Sequence, residues 1–309
     1  MGRAAVRGLD FVLNAFTVDV EDWFQVSAFE HLFPREGWDG VPLRVDTGVT
    51  RVLDLLDEAG VRGTFFILGW LAQRRPDLVR AIARRGHELG CHSLEHRLVY
   101  AMTPETFRTD LRAALDAIEQ AAGARVTLFR APSFSITKAS TWALPILAEE
   151  GIAIDSSIYP VVHDRYGIPG APRGPFRPLA DHPGFVEFPA STFRLAGMTL
   201  PCAGGGYFRL YPLALTQRAV RQINGDDGRP AVFYVHPWEF DPLQPKADAG
   251  AARNFRHRVN LARTADRVRS LLGAARFGTM SETLTALGGP GALPLLDVLS
   301  PADARTHSG

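Results

Sequence analysis

The chain has 309 residues, 46% of them hydrophobic, enough to enclose the core of one large α/β domain. Its 34 basic and 33 acidic residues leave a formal net charge of +1, which gives no sign of a nucleic-acid or anionic-membrane partner. Two cysteines, Cys91 and Cys202, exclude a disulfide framework and leave at most one long-range bridge, and no run of about 18 apolar residues offers a membrane span.

Arg3 and Arg7 precede an apolar segment, but Phe11 to Val18 contains Asn14 and runs into acids rather than a small-residue cleavage site, so it reads as a strand and not a signal peptide. The sequence as given reads as cytoplasmic, and as periplasmic or exported if a leader has been removed. Leu9 to Val18 is the first predicted strand. A helix opens at Thr47, carries Val52, Leu53, Leu55 and Leu56, and closes at Gly60. Val61 to Leu68 is a second strand, Pro76 to Arg85 a second helix, and Glu88 to Cys91 a third strand.

Pro104 starts a long helix with Phe107, Leu111, Leu115 and Ile118 on one face, ending at Gly123. Val126 to Phe129 is extended, Thr137 to Glu150 helical and Ile152 to Ile154 extended. From Tyr159 to Pro189, Pro and Gly density predicts a long loop. Val186 to Phe188, Ala231 to Val235 and Arg276 to Thr279 are closing strands, and Arg253 to Leu272 reads as one basic helix. The alternation predicts an α/β fold, a barrel-like sheet of parallel strands. Residues 1–288 read as a single domain, with a C-terminal helical segment from about 243, and 289–309 as a poorly ordered tail.

In such a barrel, side chains at the C-terminal strand ends converge on one mouth. The first strand ends in Asp19-Val20-Glu21-Asp22, the third in His92-Ser93-Leu94-Glu95-His96, the fourth in Arg130-Ala131-Pro132-Ser133-Phe134 and a late one in His236-Pro237-Trp238-Glu239. Two imidazoles four positions apart reach one cation from a helical turn or a tight loop. With a carboxylate they leave an open position on a zinc-like ion, where bound water has its pKa lowered to about 7. A second carboxylate then serves as base and an imidazole opposite as acid. These parts describe metal-assisted hydrolysis.

The blocks FTVDVEDWF, GVRGTFFILGW, GHELGCHSLEH, FRAPSFSI, DSSIYP with HDRYGIP, PCAGGGYFRLYP and YVHPWEFDP resemble the polysaccharide deacetylases of carbohydrate esterase family 4 (NodB-like), most of all a subgroup associated with bacterial exopolysaccharide loci. NFRHRVNL near Asn254 also resembles that subgroup. The resemblance spans roughly Phe16 to Pro242. It implies a distorted (β/α) barrel of about seven strands and a divalent metal, commonly zinc, with cobalt or nickel as alternatives. The implied reaction removes N-acetyl groups from a glycan, releasing acetate. By it Asp19 matches the catalytic base, His236 the general acid, Arg130 the residue orienting the base, and His92 and His96 the metal pair.

Many relatives place two acids side by side, whereas Val20 follows Asp19 here. The metal carboxylate is then Glu21, on the face of Asp19 if the strand continues, or Asp22 if a turn begins; Glu21 leads and Asp22 stays open. Trp23, Ala131, Pro132, Tyr207 and Trp238 are the expected substrate contacts, with a backbone N–H near Ala131 as oxyanion donor. The bland readings give His87 a packing or hydrogen-bonding role, Gly204-Gly205-Gly206 a close-packed turn rather than a phosphate loop, and the basic residues of Arg253 to Arg269 a solvated face. Three alternatives compete: an H-x-x-E-H metallopeptidase with Glu95 as base, an amidohydrolase acting on a small cyclic amide, and an inactive carbohydrate-binding module.

Overall fold

The structure, a computed structural model, describes residues 12–298. It begins with β1 (Asn14–Val20), buried throughout, and α1 (Val45–Ala59), whose last turn is closed by Gly60 in the left-handed conformation at φ 63°. β2 (Thr64–Ile67), α2 (Gly69–Arg74), α3 (Pro76–Arg84) and β3 (Glu88–Cys91) follow. α4 (Pro104–Ala122) starts on a Thr103–Thr106 capping box with Pro104 in the first turn, and β4 (Leu128–Phe129), α5 (Ala143–Glu149) and β5 (Ile154–Asp155) continue the alternation.

The second half holds β6 (Val186–Glu187), the hairpin β7 (Thr192–Leu195) and β8 (Met198–Pro201), α6 (Gly205–Leu210), α7 (Leu213–Gly225) and β9 (Val232–Val235). α8 (Ala251–Arg258), α9 (Thr264–Leu272), β10 (Phe277–Gly278) and α10 (Met280–Ala286) end it. β1 to β6, β9 and β10 form one all-parallel sheet in the order β10-β1-β2-β3-β4-β5-β6, with β9 also paired to β1. That matches the expected distorted barrel.

Alternation along β1 assigns its two faces. Phe16, Val18 and Val20 enter the large cluster shared with Val49, Val52, Leu56 and Phe107 under the helices. Ala15 joins Phe66, Leu128, Ile154, Val186 and Val232 in a smaller cluster inside the curl. Asp19 therefore points inward with Ala15 and Thr17, at the end of the strand where the chemistry is expected. Between β6 and β9 the sheet does not close. Irregular backbone fills the gap: the Tyr234 N–H donates to the Ala203 carbonyl at 2.6 Å and the Val232 N–H to Ser191 Oγ at 2.7 Å.

Several expectations need correction. Arg253 to Leu272 is two helices, because Asn260 adopts the left-handed conformation at φ 55° and its side-chain amide donates to the Arg209 carbonyl. The β7–β8 hairpin just after the turn-rich stretch was not anticipated, its two short strands meeting at Ala196-Gly197 with exposed tips. The segment expected as a tail from 289 is anchored at one point among the described residues: Leu293 is buried, and Arg177 donates Nε–H to its carbonyl and N–H to that of Pro294, while 294–297 are exposed. Residues 299–309, and Arg3, Arg7 and the start of the first predicted strand, lie outside the described residues. Cys91 and Cys202 are buried free thiols. No helix among the described residues is long and apolar enough to cross a membrane.

Candidate active site

The histidine pair sits not on a helix but on a tight loop after β3. Ser93 (φ 68°) and His96 (φ 56°) are both left-handed, and Ser93 Oγ accepts the His96 N–H at 3.1 Å. Non-glycine residues held in this way mark a backbone constrained by its surroundings. The turn brings His96 Nε2 to 3.0 Å and His92 Nε2 to 3.2 Å from Glu21 Oε1. All three side chains are buried, and their donor atoms lie within 4.8 Å of one another.

The chemistry of this trio fits a divalent cation. His92 Nδ1 lies 2.7 Å from the Arg130 carbonyl, which only accepts, so Nδ1 carries a proton and Nε2 is the atom turned toward Glu21. Burial alone would raise the Glu21 carboxyl, yet His96, His236 and the His92 contact hold it well below the usual carboxylate range. The result is one anionic oxygen and two imidazole nitrogens turned on one point, a donor set suited to zinc and its neighbours.

Asp22 is not part of it. Its carboxylate accepts the N–H groups of Trp23 (2.8 Å), Arg44 (2.6 Å) and Val45 (2.9 Å), tying the strand end to the start of α1. Burial dominates its titration and lifts the carboxyl to about 6, against the pull of those donors. Glu21, and not Asp22, is the carboxylate that stands with the two histidines. Glu95 is also outside the trio, ion-paired at 3.2 Å with the exposed Arg97.

Arg130, fully buried, is a four-contact fork. One Nη donates to Asp19 Oδ1 and Thr17 Oγ1, both at 2.7 Å, while the other reaches Ser156 Oγ at 2.8 Å and Nε the Ser156 carbonyl at 3.2 Å. Its guanidinium carbon lies 4.3 Å from the Phe66 ring centre. The expected oxyanion donor, in contrast, is already engaged: the Ala131 N–H donates to Ser157 Oγ at 2.8 Å.

His236 follows β9, with Nε2 4.0 Å from Glu21 Oε1 and Nδ1 3.4 Å from Glu239 Oε2. Burial opposes its charged form, but Glu21, Glu239 and Asp19 outweigh it and raise the imidazolium to about 9. Sequence reasoning missed two supports. Glu239 Oε2 accepts the His236 N–H at 2.9 Å, and Oε1 accepts Nε–H of the buried Arg209 at 2.7 Å. Arg209 further donates to the carbonyls of His257 and Val259. Both residues lie inside the quoted blocks, yet no spacing rule pairs positions thirty apart. Gly48 lets α1 press on this loop, since a Cβ there would sit 2.1 Å from the Pro237 carbonyl oxygen.

A cavity of about 320 Å³ opens over these groups, lined by Asp19, Glu21, His96, His236, Trp238 and others, and Tyr207 lines its neighbour of about 460 Å³. Three expected contacts are elsewhere. Trp23 packs edge-on against Phe24 and Phe33, and Ala131 and Pro132 are buried behind the cavity wall. His87 accepts the Gly63 N–H, a packing role. Gly204, at φ 143°, crosses the Tyr234 backbone where a Cβ would come within 1.8 Å of its oxygen, so the first glycine of the triplet is close-packed, while Gly205 and Gly206 open α6 rather than a turn.

Residues 37–148 match the Polysaccharide deacetylase family, and residues 156–285 match a domain of unknown function, DUF3473. His92, His96 and Arg130 fall in the first match and His236 in the second. Relatives include an uncharacterized protein of Geobacillus stearothermophilus (30% identical over 95 residues), a peptidoglycan-N-acetylglucosamine deacetylase of Bacillus cereus (35% over 65) and a chitooligosaccharide deacetylase of Rhizobium leguminosarum (35% over 71). The alignments cover 31%, 21% and 23% of this chain and 36%, 30% and 33% of those proteins, about a third of their length. A crystal structure from Mycobacterium smegmatis, assigned as a polysaccharide deacetylase, superposes at a TM-score of 0.62 over 94% of both chains with 22% identity, a likeness of fold. The stretch that holds the histidine loop and the buried arginine is thus similar to the polysaccharide deacetylase family, and the curled parallel sheet is shared along the whole chain.

Proposed function

We propose that the chain is a metal-dependent hydrolase that removes N-acetyl groups from an N-acetylated polysaccharide or oligosaccharide, releasing acetate. The carrying observation is the convergence of Glu21, His92 and His96 beside two further titratable groups, Asp19 and His236, on one cavity. Glu21, His92 and His96 would hold a divalent cation, most simply zinc, which when bound supplies Lewis-acid polarisation of the acetamide carbonyl and the attacking water.

Asp19, held by the Arg130 fork, accepts a proton from that water. Arg130 also draws on Thr17 and Ser156, so the carboxylate is fixed in direction as well as neutralised in charge. His236, kept protonated by Glu21, Glu239 and Asp19, donates to the departing sugar amine. Trp238 stacks on the His236 ring at 5.0 Å between centres, and His257 stacks on Trp238 at 4.2 Å, which limits rotation of the acid. The exopolysaccharide-associated subgroup is the assignment we favour for the second half of the chain, on the blocks near Tyr159 and Asn254.

Acetate release from a panel of N-acetylhexosamine oligomers, run with metal analysis, tests the reading. His92→Ala is expected to lose bound metal and activity together. Full metal content and full deacetylation in that variant would overturn the assignment.

A further inference from the structure

Arg165, Arg253 and Arg256 are all exposed, and all three line the cavity that holds Asp19, Glu21 and His236. Arg165 and Arg256 continue into the adjoining cavity with Leu98, Tyr100 and Tyr207, and the two spaces share Ser27, Ser133, Tyr166 and Tyr234 as wall. They form one groove running from the reacting centre past the basic groups. Each cavity lies in the size range of small-ligand sites.

Some exposed arginines are matched to carboxylates, among them Arg62, Arg74, Arg85, Arg112 and Arg269, and others, such as Arg125, Arg218 and Arg221, are not; Arg165, Arg253 and Arg256 differ from these in lining the cavity that holds the reacting groups. Among the described residues, no carboxylate pairs with Arg165, Arg253 or Arg256; Arg253 has only His31, at 3.5 Å. Asp164, the acid nearest in sequence, is turned outward and paired with His163. What singles them out is position, three guanidinium groups without a carboxylate partner at one mouth beside Asp19, Glu21 and His236. Guanidinium forks suit planar oxyanions.

Resting on the deacetylase reading, we propose that the groove takes an anionic glycan, an N-acetylated saccharide whose flanking groups carry oxyanions that Arg165, Arg253 and Arg256 bind. The shared chemistry is an oxyanion near the acetamido sugar, either a uronate carboxylate or a phosphate. Exposed ion pairs are worth a few-fold each, so three of them give about a tenfold preference that salt weakens.

The test uses the full metal-loaded chain with three substrates: a neutral N-acetylglucosamine tetramer, a tetramer alternating N-acetylglucosamine with glucuronate, and a nucleotide-diphosphate N-acetylglucosamine. At low salt, kcat/KM for acetate release is expected to be about tenfold higher for one charged substrate than for the neutral tetramer, and which one it is identifies the carboxylate or the phosphate. The advantage is expected to fall at high salt and in the triple variant Arg165→Gln/Arg253→Gln/Arg256→Gln. Equal turnover of neutral and charged substrates by the unaltered protein, or a preference untouched by the triple variant, would overturn the proposal while leaving deacetylation standing. Absence of acetate from all three counts against the deacetylase reading instead. Calorimetric binding of the charged oligosaccharide then decides the anion site, with binding that weakens in the triple variant supporting it and no binding overturning it.

Discussion

Arg130→Lys separates charge from direction at the proposed base. Lysine keeps the positive charge but concentrates three donors on one nitrogen, whereas the native fork reaches Asp19, Thr17 and both polar groups of Ser156 along separate lines. If the ammonium follows Asp19, the two Ser156 contacts and the Thr17 contact are lost, each a charge-assisted bond of about 1.5–3 kcal/mol. The true cost is smaller than their sum, because Ser156 Oγ still donates to the Phe188 carbonyl and Thr17 Oγ1 to that of Phe233. A destabilisation of about 2–4 kcal/mol in urea unfolding is expected. Asp19 also loses its fixed direction, and a misplacement on the order of 1 Å lowers kcat by about a hundredfold, with KM little changed. Acetate release and urea titration of the same preparation measure both. Native stability with native kcat would show that Arg130 acts only as a counter-charge and would refute the fork argument.

Four further outcomes follow from the same geometry. Glu21→Gln is expected to lose metal in dialysis, whereas Asp22→Ala keeps its metal and loses about 1–3 kcal/mol by freeing three backbone donors, so metal analysis against unfolding separates the two neighbours. Glu95→Gln leaves acetate release within a few-fold, and complete loss would revive the peptidase reading. Glu239→Gln strips the buried Arg209 of its carboxylate, destabilising by about 3–5 kcal/mol. Finally, burial and Arg209 depress His257 to about 3 from its usual 6.5. The folded protein therefore binds fewer protons than the unfolded chain between those values, so stability is full above about 6.5 and drains as pH falls toward 3. The loss is about 2 kcal/mol at pH 5, and His257→Gln should flatten that part of the profile.

What could be read from the chain alone was whatever depends on local order. Gly60, Gly123 and Pro104 announced helix ends because their backbone preferences act within a few residues, and the alternation along Phe16-Thr17-Val18-Asp19 fixed which groups face inward. Since Glu21 keeps the parity of Asp19, the choice between Glu21 and Asp22 was legible as a question of strand continuation. Its answer depended on where the N-terminus of α1 lies, and Asp22 is held there by Arg44 and Val45, some twenty positions away. The substrate contacts failed for a related reason. Trp23 and Ala131 adjoin site residues in sequence, but both lie beyond the ends of β1 and β4, where strand alternation no longer sets the direction of a side chain, and Trp23 turns into the aromatic cluster instead. The groups that complete the site, Arg209 behind Glu239 and the unpaired Arg253 and Arg256, come from segments that read as a glycine-rich turn and a solvated basic face. A charge looks solvated until its lack of a partner is visible, and only packing reveals which arginines are matched. The proposed metal trio is thus the part of the site that sequence specifies most directly, and the groove proposed to select the glycan is the part that folding alone brings together.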